Sequence, residues 1–157
     1  MNIKMLVMDV DGTLTDGKIY MGPDGEVMKA FDVKDGYAIV HLRDAGIEPV
    51  IITGRKSTIV ENRAKELGIK ELYQGVSDKV QVLKEVIEKY HITSENVAYI
   101  GDDLNDMDCI RFCGLSACPK DAITEVLEIV KYKCTHSGGN GAVREFIEAI
   151  KDELNKQ

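Results

Sequence analysis

Two apolar runs, each breaking at a glycine among acids, constrain this chain more than any other feature. Met5-Leu6-Val7-Met8-Asp9-Val10-Asp11-Gly12-Thr13-Leu14-Thr15 is answered far downstream by Tyr99-Ile100-Gly101-Asp102-Asp103-Leu104-Asn105-Asp106. Such a run, ended by a turn signal, reads as a buried parallel strand, and the carboxyl end of such strands is where open α/β sheets bind ligands. If the two strands are neighbours, Asp9, Asp11, Asp102, Asp103 and Asp106 crowd into one small volume. Carboxylates that close do not all stay ionised without a cation among them, and an all-oxygen donor set suits a hard ion such as Mg2+.

Elsewhere apolar runs alternate with amphipathic stretches, which predicts an α/β fold with a mostly parallel, Rossmann-like sheet flanked by helices. Residues 16–31 interrupt that rhythm. Lys18-Ile19-Tyr20-Met21 and Glu26-Val27-Met28-Lys29-Ala30-Phe31 are β-prone arms around the turn formers Gly22-Pro23-Asp24-Gly25, so a hairpin flap is expected there. Asp35 is expected to cap a helix carrying Ala38, Ile39, Leu42 and Ala45 and ended by Gly46. Pro49 to Thr53 reads as a strand, Ser57 to Gly68 as a helix, and Glu71 to Gln74 as a short strand. Asp78 caps a helix with Leu83, Val86, Ile87 and Tyr90 on one face. After the strand Val97 to Ile100, helices are expected from about Asn105 to Cys113 and across Ala122 to Val130. A short strand near Tyr132 to Cys134 and a last helix with Val143, Phe146, Ile147, Ile150 and Leu154 inward complete the chain. Its 157 residues make one domain's worth of core, with no repeat and no linker.

The charge balance bears on partners. Twenty Lys and Arg against 27 Asp and Glu give a net charge of −7, which offers no basic stripe for nucleic-acid phosphates. No apolar stretch approaches the length needed to span a bilayer, so a cytoplasmic location without membrane attachment is expected. Cys109, Cys113, Cys118 and Cys134 fit no zinc-knuckle or CxxC spacing, and reduced, buried thiols are the expectation.

Asp9 lies inside its apolar run rather than after it, and an unpaired buried carboxylate is costly, so it is there for chemistry. A carboxylate can accept a phosphoryl group, and a second acid two residues on points to the same side of a strand, the spacing of a nucleophile and a proton donor. Thr53 stands at a strand end, where its hydroxyl and the following amides can hold a phosphoryl oxygen. Lys79, a cation at a helix start, opposes the macrodipole unless an anion is near.

In this order, Asp9-Val10-Asp11-Gly12-Thr13, Thr53, Lys79 and Gly101-Asp102-Asp103-Leu104-Asn105-Asp106 resemble the four motifs of the haloacid dehalogenase superfamily phosphatases. The stretch between the first two motifs has room only for the flap and one helix, which resembles members with no inserted cap domain. Asp16 to Met21, Ala30 to Tyr37, Ile51 to Lys56, Leu72 to Gly75 and Gly141 to Glu145 are similar to the phosphatases of 3-deoxy-D-manno-octulosonate 8-phosphate.

The resemblance implies that Asp9 is the nucleophile and Asp11 the acid and base, with Thr53 and Lys79 on the transferring oxygens. It implies Mg2+ on the Asp9 and Asp102 side chains and the Asp11 main-chain carbonyl, backed by Asp103 and Asp106. It assigns Asp11, Asp32, Val33, Lys34, Asp35, Gly36, Gly54, Arg55, Arg63 and Lys79 to a sugar-acid phosphate, whose carboxylate an Arg can grip bidentately. Where that family often has a basic residue, this chain has Val40. Related phosphatases of nine-carbon sialic-type acids would carry an acid in place of Arg55. Silent assembly modules of the superfamily lack Asp9, Asp11 or Lys79, all present here. The resemblance also implies a homotetramer whose neighbouring subunits close each site; an apolar flap, marginal alone, fits that.

Overall fold

Strand β1 (Met5–Met8) has no exposed residue, because it lies between β4 (Glu48–Ile52) and β6 (Val97–Ile100) with helices on both faces. The computed structural model describes residues 1–156. β5 (Glu71–Tyr73), β7 (Leu115–Cys118) and β8 (Tyr132–Lys133) extend a six-stranded sheet in the order β5-β4-β1-β6-β7-β8, every pairing parallel. Met8 pairs with Ile100, and the Asp9 amide donates to the Ile100 carbonyl at 3.1 Å. The two acidic runs therefore end level, side by side.

Alternation along the strands sorts side chains into two cores. Leu6, Met8, Ile51 and Ile100 pack beneath α1 (Val33–Val40), α2 (Thr58–Glu66) and α6 (Ala142–Asn155), with Val60, Phe146 and Ile147. Met5, Val7, Ile52 and Tyr99 pack beneath α3 (Lys79–Lys89), α4 (Met107–Phe112) and α5 (Thr124–Ile129), with Leu83 and Ile110. Full burial of a side chain such as Phe146 contributes about 1.5–3 kcal/mol.

The helix starts follow cap chemistry. Ser57 Oγ accepts from the Val60 amide at 3.4 Å to open α2, and Asp78 accepts from the Gln81 amide at 3.2 Å to open α3, as the sequence predicts. Three expectations need correction. The cap of α1 is Asp32, which accepts from the Asp35 amide at 2.9 Å, so the helix starts earlier than read. It also stops at Val40, and Gly46, with φ +72°, closes a separate 3-10 turn, Arg43–Ala45. Strand β7 escaped the reading because Leu-Ser-Ala-Cys has little β-branched character, and its pairing with β6 decides its conformation.

The flap, β2 (Tyr20–Gly22) with antiparallel β3 (Gly25–Met28), carries an inverted pattern. Met21, Val27 and Met28 are 62%, 62% and 50% exposed, while Lys29 is buried and Glu26 half-buried on the inner side. An ordinary hairpin does the opposite.

Asp35 ties α1 to α6. Its Oδ1 accepts from the Arg144 amide at 2.9 Å, while its Oδ2 is buried without a hydrogen bond. Burial pushes its carboxyl from 3.8 up to about 6, overcoming the Arg144 amide, and the Asp32 charge adds to the rise. Because the folded state binds this proton more tightly than the unfolded chain, the stability it contributes is complete below pH 3.8 and is lost as pH rises through 6. The shift is worth on the order of 3 kcal/mol. Asp35→Asn, neutral throughout, should therefore gain about 2–3 kcal/mol relative to wild type between pH 4 and pH 7. Urea unfolding at each pH measures the difference; a pH-independent gap would refute this account.

Candidate active site

At the carboxyl edge of the sheet, parity aims Asp9 toward the same side as Met5 and Val7, where α3 begins. Lys79, the first residue of α3, sends its ammonium back beneath the sheet edge, fully removed from water. Its Nζ donates to Asp9 Oδ1 at 2.9 Å and to Asp106 Oδ1 at 2.8 Å. Tyr99, from β6 on the same face, donates its hydroxyl to Asp106 Oδ1 at 2.5 Å. Asp106 Oδ2 accepts from the Asp102 and Asp103 amides at 2.9 and 3.1 Å. Each oxygen of Asp106 thus takes two donors, which fills its lone pairs and leaves none for an ion.

Asp102 and Asp9 are different. Thr13 Oγ1 donates to Asp102 Oδ1 at 3.0 Å, and the carboxylate oxygens of Asp9, Asp102 and Asp106 lie within 4.8 Å of one another. Burial, reinforced by the Asp106 charge, raises the Asp9 carboxyl despite Lys79 beside it. Burial and the Asp9 charge push Asp102 up to about 9. Burial opposes the charge on Lys79, but Asp9 and Asp106 overcome it and hold the ammonium above its usual range. Three acids against one cation leave uncompensated negative charge at Asp9 and Asp102. Those two hard oxygen donors fit a divalent cation such as Mg2+.

Backbone close to this cluster has no room for a side chain. Gly12 sits at φ +91°, and a Cβ there would stand 2.0 Å from Asp102 Oδ2; one at Gly101 would stand 2.3 Å from Asp106 Cγ.

Asp11 points to the same end of the sheet, where the flap meets it. Lys29 Nζ donates to Asp11 Oδ1 and lies 3.2 Å from Glu26 Oε2. Glu26 Oε1 accepts from Ser57 Oγ at 2.5 Å, and Arg55 Nη2 approaches Glu26 Oε2 at 3.7 Å. Burial raises the Glu26 carboxyl, yet the bonds from Ser57 and Lys29 outweigh it and hold the group below its usual range.

The remaining predicted residues divide. Thr53 is buried at the end of β4, its carbonyl taking the Val76 amide at 3.1 Å, and Gly54 faces the Asn105 side chain. Arg55 is half-exposed beside the flap. Asp103 is exposed and caps the 3-10 turn Leu104–Asp106, its Oδ1 accepting from the Leu104 amide at 2.7 Å. Asp32 caps α1 and Val33, Lys34, Asp35 and Gly36 form its first turn; Asp32, Asp35 and Gly36 line a cleft shared with Val10, which lies between Asp9 and Asp11. Arg63 is engaged there too: it donates to the Asp32 carbonyl at 3.4 Å, pairs with Glu66 at 3.2 Å and lies over Phe31 at 5.4 Å. Val40 is exposed. The four cysteines are buried free thiols, as expected.

Sequence reasoning passed over Tyr99, Thr13, Glu26, Ser57 and Lys29 as parts of the site. Two signals were present: a lone Tyr hydroxyl in a fully apolar strand, and two ionic residues flanking Val27-Met28 on a flap arm.

A model of the haloacid dehalogenase-like hydrolases matches residues 69–147. The chain is 47% identical over 149 residues to the 3-deoxy-D-manno-octulosonate 8-phosphate phosphatase of Escherichia coli strain K12, covering 95% of this chain and 79% of that protein. Among solved structures it resembles the same phosphatase from Moraxella catarrhalis, in complex with magnesium ion, phosphate ion and KDO. The TM-score is 0.92 at 43% identity, covering 96% of this chain and 86% of that one. A cobalt-bound form from Haemophilus influenzae matches with TM-score 0.93 at 38% identity, covering 96% and 88%.

Proposed function

Because this chain belongs to the haloacid dehalogenase-like hydrolases, and among them to the 3-deoxy-D-manno-octulosonate 8-phosphate phosphatases, we propose that it cleaves that ester through a phosphoryl group carried on Asp9. The overall reaction is Mg2+-dependent hydrolysis of the phosphomonoester to the free sugar acid and phosphate. The observation that carries the residue assignment is the buried Asp9 carboxylate, gripped by Lys79 and packed against Asp102 at the sheet edge.

An oxygen of Asp9 attacks phosphorus while the bond from phosphorus to the sugar oxygen breaks. Asp11 gives its proton to that departing oxygen. Water then attacks the phosphorus of the aspartyl-phosphate, Asp11 takes the water's proton, and phosphate leaves with Asp9 restored as a carboxylate. Lys79 and Thr53 meet the transferring oxygens, since phosphoryl transfer is mostly positioning and charge stabilisation. The Asp9 and Asp102 side chains and the Asp11 carbonyl would hold Mg2+, which offsets charge on the phosphoryl group when bound. Asp106 and Asp103 support that set by fixing Lys79 and the turn after β6.

Arg55, Gly54, Arg63 and the Asp32 to Gly36 segment make up the sugar-acid side of the site in this reading, with Lys79 and Asp11 at the phosphate. A homotetramer, in which flaps pair through Met21, Val27 and Met28 and neighbouring subunits close each site, would cover the exposed apolar face of the flap. The whole chain acts as one phosphatase domain, and no described helix is long and apolar enough to cross a membrane, which supports a cytoplasmic enzyme.

Asp9→Asn should abolish phosphate release with the fold retained by circular dichroism, and EDTA should silence the wild type until Mg2+ is returned. Enzymes accelerate phosphomonoester hydrolysis by up to ~10^21-fold, so no background hides the loss. Turnover by the variant, or activity that survives chelation, would sink the assignment.

Arg55→Ala should lower kcat/KM for the octulosonate phosphate about tenfold or more, because a charge-assisted contact is worth roughly 1.5–3 kcal/mol. A small aryl phosphate that carries no carboxylate should be turned over almost as before; equal losses on both would place Arg55 on the phosphate or the scaffold. Light scattering at micromolar concentration should report four subunits, and a fully active monomer would refute the assembly.

A further inference from the structure

We propose that Lys29 is a positioning residue for the reaction: carried by the flap, it holds the Asp11 carboxyl in the orientation from which the proton passes to the leaving oxygen. The inference rests on the phosphatase reading above, and the site geometry supports it independently of any resemblance.

A lysine on a two-stranded hairpin ordinarily extends into water. The Lys29 side chain has no exposed surface at all, and it points under the flap into a cluster of acids. Removing an ammonium from water is expensive unless partners replace the lost hydration. Its partners here are Asp11, whose Oδ1 it takes, and Glu26 Oε2 at 3.2 Å. Glu26 is itself anchored, since its Oε1 accepts from Ser57 Oγ at 2.5 Å, and Ser57 caps α2 and donates its own amide to Gln74 Oε1 at 3.0 Å. A continuous chain of contacts therefore runs from α2 through Ser57, Glu26 and Lys29 to Asp11. The Asp11 side chain keeps 21% exposure, enough to face a bound ester while one of its oxygens is fixed.

The arrangement explains why the flap wears its polar residues inside. In the first step the proton on the free Asp11 oxygen moves to the sugar oxygen as the bond from phosphorus to that oxygen breaks. That transfer needs the carboxyl within hydrogen-bond reach and correctly turned, and small misplacements of such a group cost heavily. A phenolate needs no proton to depart, so an aryl phosphate tests the attack by Asp9 without the acid.

Single-turnover rates on the octulosonate phosphate and on p-nitrophenyl phosphate separate the possibilities. Lys29→Met should slow the sugar ester about tenfold or more, with KM little changed, and leave p-nitrophenol release within about threefold of wild type. Lys29→Arg should restore most of the loss. Glu26→Gln, which keeps the ammonium but loosens its anchor, should show the same selective defect at smaller size, and it covers the case in which Lys29→Met folds poorly. Equal losses on both esters, a loss confined to KM, or no loss in any variant would overturn the proposal. A wild type inert toward both esters would overturn the phosphatase reading, and this inference with it.

Discussion

Everything at the carboxyl edge of this sheet depends on one buried ammonium. Lys79 bridges Asp9 on β1 and Asp106 beyond β6 at 2.9 and 2.8 Å, with its own side chain wholly removed from water. Such a pair is a poor source of stability, because desolvating the charges consumes most of what their attraction returns. Its value is geometric. A helix start, a central strand end and a turn after a second strand are locked to a single atom, and the turn is locked again by the two amides on Asp106 Oδ2.

The lock leaves a deliberate imbalance. Asp106 is saturated by its four donors, so the negative charge that Lys79 does not neutralise falls on Asp9 and Asp102, and both carboxyls are held above their usual range. A cluster that resists its own ionisation suits the entry of a cation, which would favour the ionised form of Asp9 that the proposed reaction requires. Gly12 and Gly101 are part of that tuning, since any side chain at either position would occupy the space of an acid.

The flap adds a second layer with the opposite economy of surface. Its apolar face is turned outward and its ionic face inward, so it leaves Met21, Val27 and Met28 exposed while Lys29 and Glu26 meet Asp11 and Ser57. Asp35 offers a contrast in the first turn of α1: also a buried acid, it accepts from the Arg144 amide and so joins two helices.

The sequence by itself determined the alternation of strands and helices, the flap, the caps at Ser57 and Asp78, and the meeting of Asp9 with Asp102 and Asp106 once the two acidic strands are neighbours, while Lys79 entered that set only through the family resemblance. These are legible because period, turn chemistry and the cost of burying a carboxylate act over a few residues or leave few alternatives. Tertiary structure alone decided the rest. Leu115 to Cys118 became a strand because β6 offered an unpaired edge, not because the residues demanded it. Asp35 lost its expected cap to Asp32 because its side chain was claimed by α6, a helix more than a hundred residues away. Arg63 turned to Asp32 and Phe31, and Lys29 to Asp11, through contacts between segments whose spacing carries no periodic signal. Long-range polar contacts are set by where the backbone places two groups in space, and that placement exists only once the sheet has formed.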